Sequence, residues 1–203
     1  ARRFPVEEYY LDELQWAFRG KLRCLSDVNY QLTRMMGKAM KADQVEHRHV
    51  ENMHKVVIDV VHCVAQKGCT VLVFVPGIVE ISALWEEARW LENTGSFRVM
   101  PLHSMIPREE QEAVFEVPSK HVTHVVLATD IAESSLTLPN VVAVVDLGLH
   151  RRVDHSDSRG MACLATKWIS RASAKQRSGR AGRTQPGVCV RLYPRSFHDS
   201  VMP

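Results

Sequence analysis

Residues Thr70 to Gly77 read TVLVFVPG, a continuous apolar run rich in β-branched side chains. A strand with no polar side is buried on both faces, which happens where helices cover both sides of a parallel sheet. The segment before it has a different period. From about Val45 to Gln66 the apolar residues Met53, Val56, Val57, Val60, Val61 and Val64 fall at i, i+3, i+4, i+7, i+8 and i+11. That spacing predicts a helix with one buried stripe, and Lys67-Gly68 predicts its stop. Downstream the two periods alternate. EISALWEEARWLE (80–92) reads as a helix ended near Gly95, FRVMPLHS (97–104) as a strand, and IPREEQEAVF (106–115) as a short helix. Pro107 sits in the first turn of that helix, with acids near its N-terminus where the helix dipole favours them. HVTHVVLATD (121–130), VVAVVDLG (141–148) and PGVCVRLY (186–193) read as further strands. Strand alternating with helix predicts an α/β domain with a mainly parallel sheet. Such sheets carry ligands at the carboxyl ends of their strands, here VPG, LHS, ATD and DLG.

The first 45 residues read as a lead-in that includes the first elements, and residues 46–203 as the body of what is one domain overall. FPVEEYYLDEL (4–14) alternates enough to contain an extended piece, with Pro5 suited to an edge or a linker. QLTRMMGKAMKAD (31–43) reads as helical. The chain has 203 residues, 45% hydrophobic and 24% charged, ordinary globular composition with enough length to bury a core. No apolar run approaches the roughly 20 residues of a membrane span, and the opening ARRFPVEEYYLDEL is acidic where a signal segment is apolar. Cys24, Cys63, Cys69, Cys163 and Cys189 are odd in number and form no C-x-x-C pair. Reduced thiols in an intracellular protein are the expectation, with nucleus, cytoplasm and mitochondrion undistinguished.

Net charge is only +3, but its distribution is uneven. From Arg151 onward eleven Lys and Arg residues face only Asp154, Asp157 and Asp199, a local excess that favours an anionic partner. Its densest part is SAKQRSGRAGR (173–183). With Ser173 as a cap, a helix here places Gln176, Arg180 and Arg183 at i, i+4 and i+7 on one face. Guanidinium forks match phosphate oxygens and stay charged at any cellular pH. A basic helix face paired with acids elsewhere gives the same pattern.

QRSGRAGR resembles motif VI of superfamily 2 helicases, and ISRASAKQRSGRAGRTQPGVCVRLY (169–193) resembles the DEAH-box/RNA helicase A group. VLATDIAESSLTLPNVVAVVDLG (126–148) is similar to that group's motif V, VLVFVPGIVEI (71–81) to motif IV, and MPLHSMIPREEQEAVF (100–115) to the motif IVa region. FPVEEYYLDEL resembles the start of the second, C-terminal RecA-like domain. The motifs stand in family order along the whole chain. The resemblance implies a RecA-like three-layer domain, its mainly parallel sheet flanked by helices, with a β-hairpin between motifs V and VI.

The same resemblance implies roles. Arg180 and Arg183 match the arginines that reach the γ-phosphate of ATP, and Gln176 the glutamine near the attacking water. Arg177 matches a structural arginine tied to Glu133. Phe115 matches the aromatic that stacks on adenine, although a core phenylalanine closing a short helix is the alternative. Thr129 matches the motif V threonine on the RNA backbone, and Gly77, His103 and Ser104 match backbone-contacting loops. For His103 alone, a turn residue ending a strand is the simpler reading. ATP and Mg²⁺ are the implied cofactors, held mainly by a first RecA-like domain. Single-stranded RNA is the implied track, and an activating protein a further partner. Neither G-x-x-x-x-G-K-[ST] nor D-E-A-H occurs in these 203 residues, so the chain alone is expected not to hydrolyse ATP. Two departures stand out: Asp130 where most of the group has asparagine, and Pro139 where an acid is common. Two rival functions remain, a catalytically inactive RNA-binding or scaffolding module and a motor on DNA. His47, Glu51 and His54 share a helix face but lack converging further ligands, so no metal site is expected.

Overall fold

A computed structural model describes residues 4–18, 40, 45–134, 136–154 and 162–203. The helix expected over 31–43 lies outside them, Met40 apart. Five strands follow from the pattern above: β2 (Thr70–Phe74), β3 (Phe97–Leu102), β4 (Thr123–Ala128), β5 (Val141–Asp146) and β8 (Gly187–Arg191). The lead-in supplies β1 (Val6–Tyr10), a 3₁₀ turn (Leu11–Glu13) and α1 (Leu14–Ala17). The strand order is β1-β8-β5-β2-β4-β3, and every neighbouring pair is parallel. A separate antiparallel ribbon, β6 (Leu149–Asp154) with β7 (Cys163–Trp168), is the expected hairpin.

The helices are α2 (His47–Val64), α3 (Ile78–Glu92), α4 (Arg108–Gln111), α5 (Ile131–Ser134), α6 (Arg171–Ser178) and α7 (Arg195–Ser200). The apolar stripe of α2 is buried as its spacing requires, with Met53, Val56, Val57, Val60 and Val61 sealed from solvent. Each buried valine contributes roughly 1.5 kcal/mol of hydrophobic stabilisation. IPREEQEAVF is not one helix: Pro107 is the N-cap of α4, which tightens into a second 3₁₀ turn, Glu112–Phe115.

The central strands alternate between two cores. Val71, Val73, Val125, Leu127, Ala143 and Val145 point to the side covered by α2 and α3. Leu72, Phe74, Val126, Ala128 and Val144 point to the other, under Val114, Ala132, Leu138 and Ala181. This is the three-layer α/β arrangement, and it explains why β2 shows no polar face. The register places Phe74, Leu102, Ala128, Asp146 and Arg191 in one row. The loops after β2, β3, β4 and β5 therefore leave a single edge of the sheet. Among the described residues, no helix is long and apolar enough to cross a membrane.

Candidate nucleotide and nucleic-acid faces

The basic segment is organised by one buried side chain. α6 is capped by Ser170, whose Oγ accepts from Ser173 N at 3.2 Å. The cap is thus three residues earlier than expected, because Ser170 has the extended backbone an N-cap needs. Arg177 in the last turn is 0% exposed. Its Nη1 donates to Asp146 Oδ1 at 2.9 Å, and both terminal nitrogens donate to the Leu149 carbonyl at 3.2 Å. Its Nε lies 3.4 Å from Glu133 Oε1, and its guanidinium sits 4.8 Å above the Phe74 ring. A guanidinium without water needs carboxylates and carbonyls around it, and here β5, β6 and α5 provide them. The tie between Arg177 and Glu133 is the one the resemblance implied.

The helix ends at Ser178, so Gln176, Arg180 and Arg183 do not share a helical face. Gly179 caps it, and the chain tightens through Arg180 N to Arg177 O (3.0 Å) and Ala181 N to Ser178 O (3.3 Å). Gly182 then turns with φ +71°. A Cβ there would stand 2.6 Å from Val6 Cγ2 and 2.8 Å from the Phe4 carbonyl oxygen, so the approach of β1 requires glycine. The three polar side chains end in different settings. Gln176 and Arg183 are exposed. Arg180 is 7% exposed and donates to the carbonyls of Leu136 (2.7 Å) and Glu133. Burial, and then the charge of Arg183, hold the Arg180 guanidinium below its ordinary value, while Glu133 opposes them. Its Nε is buried without a partner. Phe115 ends the second 3₁₀ turn at 44% exposure, beside Val114 of the same core face. It is not a core phenylalanine.

Gly77, His103, Ser104 and Thr129 gather at the carboxyl edge of the sheet. Gly77 is the N-cap of α3 and its carbonyl accepts from Ile81 N at 3.0 Å. His103 closes a turn: Nδ1 accepts from Met105 N at 3.1 Å, and its carbonyl accepts from Ile106 N and Gln111 Nε2 at 3.0 Å. Ser104 is exposed. Thr129 is only 6% exposed, and its carbonyl starts α5 by accepting from Ala132 N at 3.1 Å. Asp130 is exposed, and its carbonyl accepts from Glu133 N at 2.9 Å.

Two buried carboxylates were missed by the sequence reading. Asp146 also accepts from Gly148 N at 2.9 Å, and its Oδ2 lies 3.5 Å from the Tyr193 hydroxyl, which in turn accepts from Arg191. Glu80, in the first turn of α3 and 1% exposed, holds Arg151 of the hairpin at 2.6 Å. Arg151 fills the space beside Gly77, where a Cβ would meet its Cδ at 2.9 Å. An acid ending an all-apolar strand, as in VVDLG, is the signal that points to Asp146. Nothing in the local pattern around Glu80 singles it out.

Among the described residues, no group of three or more His, Cys, Asp or Glu is arranged to hold a metal ion. His54 faces the core at 0% exposure, while His47 and Glu51 pair outside at 3.4 Å. Cys63, Cys69, Cys163 and Cys189 are free thiols.

A six-stranded parallel sheet covered on both faces, with an arginine-rich turn at its side, is a RecA-like arrangement, and comparison with known proteins agrees. The helicase conserved C-terminal domain family matches residues 51–185, and the chain belongs to it, as the C-terminal RecA-like domain of a DEAH-type helicase. It is 44% identical over 141 residues to the DExH-box ATP-dependent RNA helicase DExH1 of Arabidopsis thaliana, across 68% of this chain and 14% of that protein. It is 33% identical over 213 residues to the ATP-dependent RNA helicase DHX30 of Gallus gallus, across 98% of this chain and 15% of that one. The solved structure of the E. coli DExH-box NTPase HrpB matches with a TM-score of 0.71 and 25% identity, over 100% of this chain and 21% of the other. The chain therefore spans a small fraction of each relative's length.

Proposed function

We propose that this domain forms one wall of an ATP site and one side of a single-stranded RNA track in a larger DEAH-type helicase. The observation that carries this reading is the pairing of exposed Gln176 and Arg183 with a buried Arg177 that fixes their segment. A purely structural basic helix would have its arginines occupied by acids. Among the described residues Arg177 is so occupied, while Arg183 remains exposed.

The donor set fits a triphosphate. Arg183 presents its guanidinium fork to phosphate oxygens across the interface with a first RecA-like domain. Arg180 ties the motif VI turn to α5 through two carbonyls and keeps further N–H donors, Nε among them. Gln176 offers an amide to orient water, and Phe115 an exposed ring face for the adenine. ATP with Mg²⁺, bound mainly by the other domain, supplies phosphoryl-transfer chemistry. On the other edge Thr129, Ser104, His103 and the Gly77 backbone offer small donors for sequence-independent backbone contact. Asp146 and Arg177 join the two faces, because Asp146 ends a strand at the RNA edge and Arg177 belongs to motif VI.

Steady-state ATPase activity of the full-length parent, with and without single-stranded RNA, tests this beside its Arg183→Ala variant. RNA-stimulated turnover that falls by about 10³-fold or more in the variant is the expected result. RNA binding without turnover in the parent leaves an RNA-binding module instead. Equal stimulation by deoxy strands moves the track to DNA, since the 2′-OH separates the two.

A further inference from the structure

We infer that the groove between the hairpin and the start of α6 is a second anion site, built for a phosphoryl group. A cavity of about 310 Å³ lies there, lined by His150, Arg152, Lys167, Trp168, Ser170 and Ser173 among others. His150 and Lys167 are cross-strand partners, so they lie on one face of the ribbon with Arg152. No Asp or Glu side chain lines the cavity among the described residues, and Val153 and the C-terminal Pro203 complete its lining.

The charges are unequally used. Lys167 Nζ pairs with Asp154 at 2.8 Å. Arg152 is exposed and makes no ion pair among the described residues. Ser170 Oγ accepts from Ser173 N, which leaves its hydroxyl proton to donate. A guanidinium fork, an ammonium and two hydroxyls around one space suit the tetrahedral oxygens of a phosphoryl group. Most of the charged side chains acting on His150 are cationic. Burial, then Arg152, Arg177 and Lys167, hold the His150 ring below its ordinary value, with Asp130 alone pulling upward. A bound phosphoryl anion would reverse that balance.

This site is separate from the one for the γ-phosphate. α6 has eight residues and spans about 12 Å, with the cavity at its first turn and Arg180 and Arg183 past its last. Two sources carry the required chemistry, a nucleic-acid backbone and a free nucleotide. The backbone source rests on the reading proposed above; the phosphoryl site itself does not.

The test follows the His150 ring resonances of the 203-residue chain, assigned with His150→Gln, during titration with pyrophosphate, ADP and an eight-nucleotide single-stranded uridine RNA. The expected result is a saturable His150 shift with its proton affinity rising. Binding weakens by about tenfold in Arg152→Glu, as loss of a charged hydrogen bond implies, and hardly changes in Lys175→Glu. Lys175 is exposed on α6 outside the cavity, and its variant carries the same change of charge. A response to all three ligands assigns the site to the RNA backbone, and a response to pyrophosphate and ADP alone assigns it to free nucleotide. Absence of a saturable shift with any ligand overturns the proposal, as does equal weakening in both variants. The motor reading fails separately, through the turnover of the parent.

Discussion

Asp146 holds the greatest concentration of consequence in a single side chain. It is 0% exposed, with the Arg177 guanidinium on one oxygen and Tyr193 near the other. Asp146→Asn keeps the shape and removes the charge, leaving two buried arginines with too little negative charge around them. Breaking a buried pair from one side costs about 3 kcal/mol or more, so the urea midpoint of the chain is expected to fall by that equivalent with an unchanged slope. His54 carries a second residue-level prediction. Burial, and then His47, push its ring down to about 4, with Glu51 opposing. Glu87 Oε1 lies 3.8 Å away, too far for a hydrogen bond. The ring is therefore neutral in the fold. Below pH 6.5 the unfolded chain takes up a proton that the folded chain refuses until about pH 4. Stability falls as pH drops through that window, on the order of 1.4 kcal/mol per unit. His49, His124 and His150 shift in the same direction, so His54→Leu is expected to flatten the slope by one proton's worth and not abolish it. Unfolding at a series of pH values measures both slopes.

At the scale of an element, α6 is short and depends on its ends. Ser170→Ala removes the one side-chain cap and is expected to cost about 1 kcal/mol, read from thermal unfolding with Ala172→Ser as an exposed control. The elements differ in how plainly the sequence announces them. β2, β4 and β5 are legible because both faces are covered, so their interiors are unbroken apolar runs. α2 is legible through its valine stripe. α6 is not, because a charged helix has no apolar period and the i, i+4, i+7 spacing runs unbroken through Gly179 and Gly182, where the backbone turns. The site divides in the same way. Thr129, Ser104, His103 and Gly77 could be placed because each follows a recognisable strand. The partners of Arg177 could not be placed by spacing, since Asp146 is 31 positions away and only the packing of β5 against α6 joins them. Motif resemblance supplied Glu133 but not Asp146.

For the whole molecule, the lead-in matters more than its sequence suggests. β1 borders β8 across five paired positions, Phe4 N donates to the Gly182 carbonyl at 3.1 Å, and Gly187 N donates to the Pro5 carbonyl at 3.0 Å. Glu8 meets the buried Arg191 at 3.1 Å. Deleting residues 4–10 uncovers the β8 edge and leaves Arg191 with one carboxylate fewer. An uncovered edge recruits other chains. The truncated chain is expected to show a lower urea midpoint and concentration-dependent light scattering that the intact chain lacks. The same pairing also has a consequence in time. Glu8 and Arg191 are 183 positions apart, and at ribosomal speeds of five to twenty residues per second roughly ten to forty seconds separate their synthesis. β8 lies between β1 and β5. The sheet is therefore completed by insertion, with its latest strand sliding between β1 and β5, both made earlier, and the nascent β1 waits through that interval with its permanent neighbour still unmade.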